Sequence, residues 1–409
     1  MQALSCVLDI GSYHVQCGVD HREFIPRSVF RNVLLYPPHD HDKNNNEISK
    51  TFESTSERSL IKIGDYEIGK FLKQKVNGTI PNNFFHYPIQ HGQVQHWEDF
   101  EHLLHFIYES ELRILSEDHP CIMTHSCLPI LEKKKILNLM FESFLVPKFY
   151  LANKALCSLL RSGSNSGLEV SSGHDMTCVI PIHEGVVLSH AVVKTESIGG
   201  RVMNEHLEGL FTECLKATSE EWMPKCSFLK DQWLAKMKEN FGFYISQDYE
   251  SELALKQQEL SNCREKYQLP DGNEILLDSR MKFQACEIIF QPQQVCSKTS
   301  IPTQGLHEMI YQCVQQCHVD LRSTLYSNIV LSGGNTMFTG IDTRLRNELN
   351  SLVPTDMNVH VNAPQERNYS VWMGALAIAR CSQNHDLWVT LEEFNEFGET
   401  IAHRKLIMT

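Results

Sequence analysis

The run Val7-Leu8-Asp9-Ile10-Gly11-Ser12 ends an apolar strand in a carboxylate, a glycine and a hydroxyl. That set can hold a hydrated cation and present backbone N–H groups to an anion. A second run, Ile329-Val330-Leu331-Ser332-Gly333-Gly334-Asn335-Thr336-Met337-Phe338-Thr339-Gly340, leads an apolar strand into paired glycines. There the backbone can approach a ligand where a side chain would clash. A helix expected from about Ile341 adds free N–H groups at its start. By spacing alone, strand–Gly-Gly–helix turns are most often only turns. Two further clusters suggest metals. Cys313-x-x-x-Cys317-His318 has helical spacing, and buried free thiols on one helix face are its plain reading. His39-x-His41, flanked by Asp40 and Asp42, sits in a polar stretch where nothing pre-orders ligands, so a solvated loop is its plain reading.

The elements that must position these residues follow from the pattern. Val7–Val19 and Leu168–Pro181 each read as strand–turn–strand, a weak internal repeat pointing to two related lobes. Residues His96 to about Leu115 and Lys133 to Phe144 have helical periodicity. Tyr36 to about Ser59 is polar and reads as a loop. With 409 residues the chain can bury a large core, and 42% apolar with 21% charged residues is ordinary for a globular protein. The net charge of -13 argues against direct contact with nucleic acid or an anionic membrane. Without a signal-like start or a long apolar run, the fourteen cysteines are expected to be reduced and the chain intracellular.

Strings along the whole chain resemble the actin family: Ile329–Gly340 itself, Tyr87-Pro88-Ile89-Gln90-His91-Gly92, Met140-Phe141-Glu142-Ser143-Phe144, Tyr267-Gln268-Leu269-Pro270-Asp271-Gly272, Phe290-Gln291-Pro292, Ala363-Pro364-Gln365-Glu366-Arg367-Asn368-Tyr369-Ser370-Val371-Trp372 and His403-Arg404-Lys405. The resemblance implies an α/β, two-lobed actin-type ATPase fold, a duplicated mixed sheet with flanking helices around a central cleft. It places residues 1–151 plus 370–409 in the first lobe and 152–369 in the second. It also implies ATP or ADP as cofactor, with Mg²⁺ or Ca²⁺ bound only alongside the nucleotide.

Carried over position by position, the resemblance gives a degraded phosphate side. The first loop keeps Asp9, Gly11 and Ser12 but has Tyr13 for a family glycine and Gln16 for the phosphate-facing lysine. Losing that charge removes on the order of 4 kcal/mol of contact attraction at an effective dielectric near 20. In the second loop, Ser171 and His174 stand for two aspartates, and Cys178 for a histidine. Asp175 lies one place along, where a strand turn points the side chain elsewhere, and serves only if the turn slips. The water-positioning glutamine of the family is assigned to Asn138, one methylene shorter. The degenerate catalytic candidates are therefore Asp9, Asn138 and Asp175, with Asp9 the sole metal candidate.

The nucleoside side is closer to the pattern, through Gly333, Gly334, Met337, Phe338, the pair Lys238-Glu239, and Gly200 with Arg201. Asn368 replaces a lysine. For the glycines, fold and ligand roles weigh equally; for Lys238 and Glu239, so do a solvated helix face and a ligand role. The filament-contact segments of the family correspond to the polar Tyr36–Ser59 and to Gln293–Pro302, which lack apolar anchors. The sequence is thus expected to encode a structural subunit or adaptor in a cytoskeletal, actin-related assembly of the cytoplasm, with a specialised cell such as a male germ cell as one setting, and with ATP hydrolysis lost or very weak. Its partners would be actin or actin-related subunits. A weak ATPase using Asp9, Asn138 and a slipped Asp175, and a nuclear subunit of a chromatin complex, are the alternatives.

Overall fold

A computed structural model describes residues 4–20, 24–36, 62–64, 68, 70, 84–126, 128–216, 227–258, 264–268, 274–294, 304–381 and 386–406. The polar segment with His39 and His41, and most of Gln293–Pro302, lie outside the described residues.

The chain divides into two compact units. One holds Met1–Glu169, Ile182–Leu188 and Glu366–Thr409; the other holds Val170–Pro181 and Ser189–Gln365. The first unit extends past the boundary at 151 expected from the sequence. The helix Lys154–Arg161 packs on the helix Ser370–Arg380, and so belongs with it. Gly374 makes that contact close, since a Cβ there would lie 1.9 Å from the Cys157 carbonyl oxygen.

The first unit is built on a mixed sheet. Its strands are β1 (Cys6–Ile10), β2 (His14–Val19), β3 (Ser28–Arg31), β4 (Cys121–His125), β5 (Lys148–Asn153) and, far along the chain, Val389–Thr390. The order is Val389–Thr390, β5, β4, β1, β2, β3. Strands β1, β4 and β5 run parallel, while β1–β2 is the antiparallel hairpin expected from the sequence. Every residue of β1 is buried, because both faces of the sheet are covered. Side chains alternate across a strand. Cys6, Leu8 and Ile10 enter the larger core, and Val7 enters a second core with Tyr150, Cys157 and Trp372. Asp9 shares the parity of Val7, which turns it toward the face covered by the helix Lys154–Arg161.

The second sheet contains β6 (Gly167–Ser172), β7 (Thr177–His183), β8 (Val186–Val187), β9 (Val193–Thr195), β10 (Ile329–Ser332) and β11 (Val361–Asn362). Its order is β8, β7, β6, β10, β11, with β9 also on β7. The expected repeat is visible in the turns. The amide of Gly11 donates to the carbonyl of His14 at 2.9 Å, and that of Gly173 to the carbonyl of Met176 at 3.0 Å.

The two expected helices both appear with wider final turns. Trp97–Phe106 continues into Ile107–Leu112, and Ile130–Asn138 into Leu139–Ser143. Cys313 and Cys317 are buried, with the Cys317 thiol on the Cys313 carbonyl, whereas His318 is exposed and begins the next helix. The helix-face reading of that cluster holds. Among the described residues no helix is long and apolar enough to cross a membrane.

Candidate functional site

In the first unit the chemistry collects where β1, β4 and β5 end. Oδ1 of Asp9 accepts a 2.6 Å hydrogen bond from the Thr124 hydroxyl and lies 2.9 Å from Nζ of Lys154. The same ammonium donates to the carbonyl of Ile10 at 2.9 Å. Lys154 is the first residue of its helix, after the N-cap Asn153, whose side chain accepts from the Ala155 amide. A cation is disfavoured at that end of a helix dipole. The carboxylate of Asp9 and the carbonyl of Ile10 offset that and hold the ammonium in place.

The rest of the first turn is tied to protein. Asn32 donates from Nδ2 to the Gly11 carbonyl and from its amide to the Tyr13 carbonyl, at 2.8 Å each. The Arg31 guanidinium lies 4.5 Å from the Tyr13 ring centroid. Gln16, opposite Asp9 in the hairpin register, is buried and donates to the Asn368 carbonyl at 2.9 Å. Its amide thus bonds to the backbone at Asn368, the position where the family lysine is also replaced.

Asn138 has its Oδ1 buried without a partner among the described residues. Its amide donates to Glu399 at 2.7 Å, on the helix Ile130–Asn138, while Asp9 has Thr124 and Lys154 as partners. The residue that sequence reasoning missed is Lys154. Its signal was positional: it follows directly on β5, beside the ends of β4 and β1, where ligands of open α/β sheets bind.

In the second unit the turn Gly173–Met176 is closed from within. Asn335 donates from Nδ2 to the Gly173 carbonyl at 2.7 Å and to the Ser172 hydroxyl at 3.3 Å. The Thr177 hydroxyl donates to the Ile198 carbonyl, so the 2.8 Å contact between Ser172 and Thr177 must use the Ser172 proton. All three side chains are buried, and the Ser172 hydroxyl has no proton left for a ligand. Gly199 and Gly200 press on the same turn. A Cβ at Gly199 would lie 2.6 Å from the His174 carbonyl oxygen, and the Gly200 amide donates to the Gly173 carbonyl. Asp175 is buried, with Arg201 Nε 3.9 Å from its carboxylate. The half-buried Ser171 and His174 and the buried Cys178 bring no carboxylate.

The two glycines of Ser332-Gly333-Gly334 separate in role. Gly333 has φ +86°, and a Cβ there would lie 2.4 Å from the Ser172 carbonyl oxygen, so the fold requires it. Gly334 faces open space and is exposed. Met337 is exposed and Phe338 half-buried. The chain that follows the helix Ser227–Asn240 reaches the same loop, where Ile245 donates to the Thr339 carbonyl at 2.9 Å. On that helix Lys238 is half-buried, and burial lowers its pKa to about 8, against the opposing pull of Cys286, Asp231 and Glu239. Glu239 is exposed.

The sequence matches the family model described as Actin over residues 2–407. This chain belongs to the actin family. Family members typically bind a nucleotide with a divalent metal, and the two halves of that requirement fare differently here. Among the described residues no group of three or more His, Cys, Asp or Glu side chains is placed to hold a metal ion. Asp9, the one carboxylate at its edge, already has an ammonium on it. The open Gly334, the exposed Met337 and the half-buried Lys238 leave the nucleoside-side loop accessible.

Proposed function

We propose that this actin-family protein is a structural subunit or adaptor of a cytoskeletal, actin-related assembly and hydrolyses ATP very slowly or not at all. The observation that carries the reading is the Lys154–Asp9 ion pair. Phosphoryl transfer needs a metal to neutralise developing charge and an acceptor to orient water. A carboxylate committed to a lysine is not free to hold the waters of a metal ion. At 2.9 Å the pair attracts by on the order of 5 kcal/mol at an effective dielectric near 20. A metal ion must displace that ammonium before it can bind. Asp175, beside Arg201, and Asn138, on Glu399, do not supply the missing groups.

The architecture meanwhile is kept: both sheets, both strand–turn–strand units and the packed cores are present. A retained scaffold with a compromised phosphate side suits binding to other proteins. The lack of apolar anchors in the two polar segments favours capping or mixed assembly over self-polymerisation, in the cytoplasm. Phosphate release by the purified protein in Mg-ATP is the test. Background release supports the reading, and turnover at rates typical of actins sinks it. Affinity capture of the tagged protein then identifies the assembly: actin or actin-related subunits support the cytoskeletal role, and chromatin-complex subunits overturn it.

A further inference from the structure

The first unit also gathers two histidines and a buried carboxylate. Strand Phe85–His86 pairs with Leu34–Leu35, with His86 opposite Leu34. The Tyr36 amide continues that ladder onto the Phe84 carbonyl at 3.0 Å. Tyr36 and His86 are therefore diagonal neighbours, and their ring centroids lie 4.5 Å apart. The hairpin of Ile89–Gln90 with Gln93–Val94 then returns the chain, and the Gln95 amide donates to the Pro88 carbonyl at 2.8 Å. That return sets His96, the N-cap of the helix Trp97–Phe106, beside His86, with ring centroids 5.9 Å apart.

Asp99, 4% exposed on the first turn of that helix, orients one of the two rings. Its Oδ1 accepts from the Tyr36 hydroxyl, and its Oδ2 lies 3.1 Å from Nδ1 of His86. Burial first, then the bond to Asp99, pushes the Tyr36 phenol up, so it stays a donor. A carboxylate only accepts, so in the neutral His86 ring Nδ1 carries the proton and Nε2 presents a lone pair. A carboxylate behind an imidazole in this way is the usual support of a metal-bound histidine. Nε2 of His86 and the His96 ring have no hydrogen-bond partner among the described residues, and the His96 side chain does not cap its own helix. The His86 side chain is 38% exposed and His96 is exposed, so an ion can reach both. Asp99 and Glu98 both act on Tyr36 as negative charges, so the field beside His86 favours a cation. With metal–nitrogen bonds of about 2.0–2.1 Å, two imidazoles on one tetrahedral Zn²⁺ have centroids roughly 5 Å apart, a small rotation of the exposed His96 side chain from the arrangement here.

We propose that His86 and His96 bind a divalent transition-metal ion through their imidazoles, with Asp99 positioning His86 and water completing the coordination. Zn²⁺ suits two neutral imidazoles, whereas Mg²⁺ and Ca²⁺ prefer oxygen ligands. Asp99 is committed to Tyr36 and His86, so the ion has two protein ligands, in accord with the lack of a three-residue group among the described residues. The site is independent of nucleotide binding and of ATP hydrolysis.

The test is calorimetric titration of the full-length protein with ZnCl₂ and, separately, with MgCl₂, without nucleotide or chelator. The chain has 20 histidines and 14 cysteines, so variants make the assignment. One zinc equivalent is expected to be lost, or weakened about tenfold or more, in His86→Gln and in His96→Gln. Asp99→Asn is expected to weaken the same equivalent about 10–100-fold. It is also expected to change the visible absorption of the Co²⁺-loaded protein, which reports ligand geometry and which a purely structural role would leave alone. Thermal melts check folding, and His96→Gln, at an exposed position, serves if the buried Asp99→Asn does not fold. No zinc binding, the same zinc equivalents and affinity in His96→Gln, or displacement of Zn²⁺ by equal Mg²⁺ overturns the proposal. An unchanged affinity and Co²⁺ spectrum in folded Asp99→Asn overturns the positioning role.

Discussion

The turns Gly11–His14 and Gly173–Met176 share one backbone closure and differ in what fills them. At the first, a charged contact holds the edge: the Lys154 ammonium sits on the Asp9 carboxylate. At the second, neutral hydrogen bonds and close backbone contact do it. Asn335, Ser172, Thr177 and Ile198 form a directed chain, with Gly199 and Gly333 packed against it. The first turn has a charged pair at its edge, while the second has its hydroxyl proton committed inside the protein. One strand–turn–strand motif is thus held in two ways, by a charged pair or by neutral internal bonds.

Breaking each turn at its own weak point separates the two. The largest effect is expected from Gly333→Ala. A Cβ 2.4 Å from the Ser172 carbonyl oxygen, at φ +86°, costs about 3 kcal/mol or more in urea denaturation. Lys154→Met comes next. Removing one partner of a mostly buried pair leaves Asp9 uncompensated, a loss of about 2–4 kcal/mol. Adding Asp9→Asn recovers part of that loss, and strict additivity of the two substitutions would show that the pair is not coupled.

Asn335→Ala is expected to cost about 1–3 kcal/mol, since it strips donors from the Gly173 carbonyl and the Ser172 hydroxyl. A smaller effect distinguishes the first turn by pH. The folded state keeps His125 neutral, its pKa well below the ordinary 6.5. The unfolded chain binds the proton more readily, so this contribution is lost as pH falls below about 6.5. Between pH 7 and pH 5.5 the wild type should lose about 1 kcal/mol more than His125→Gln, and equal losses would remove His125 from the account. The smallest change is expected from Gly334→Ala, within about 0.5 kcal/mol, because that position faces open space. The contrast between the adjacent glycines ties Gly333 to the fold and leaves Gly334 unconstrained by it.

Much of this was legible in the chain itself. Apolar runs broken by Asp9-Ile10-Gly11 and Ser332-Gly333-Gly334 marked both strand ends, because strand and turn propensities act over a few residues. The family strings marked the fold from one end of the chain to the other, and the actin match covers residues 2–407. Substitutions at Gln16, Ser171, His174 and Cys178 pointed to an altered phosphate side without coordinates. The partners of those residues were not legible. Lys154 meets Asp9 across 145 positions because β5, β4 and β1 lie parallel and one helix covers the face that Asp9 shares with Val7. Asn138, chosen by sequence position, donates its amide to Glu399, a partner 261 positions away. Local pattern determines which residue types stand at a strand end, since that depends on neighbours along the chain. Which charge neutralises which depends on strand order and helix placement, and only the tertiary structure decides those.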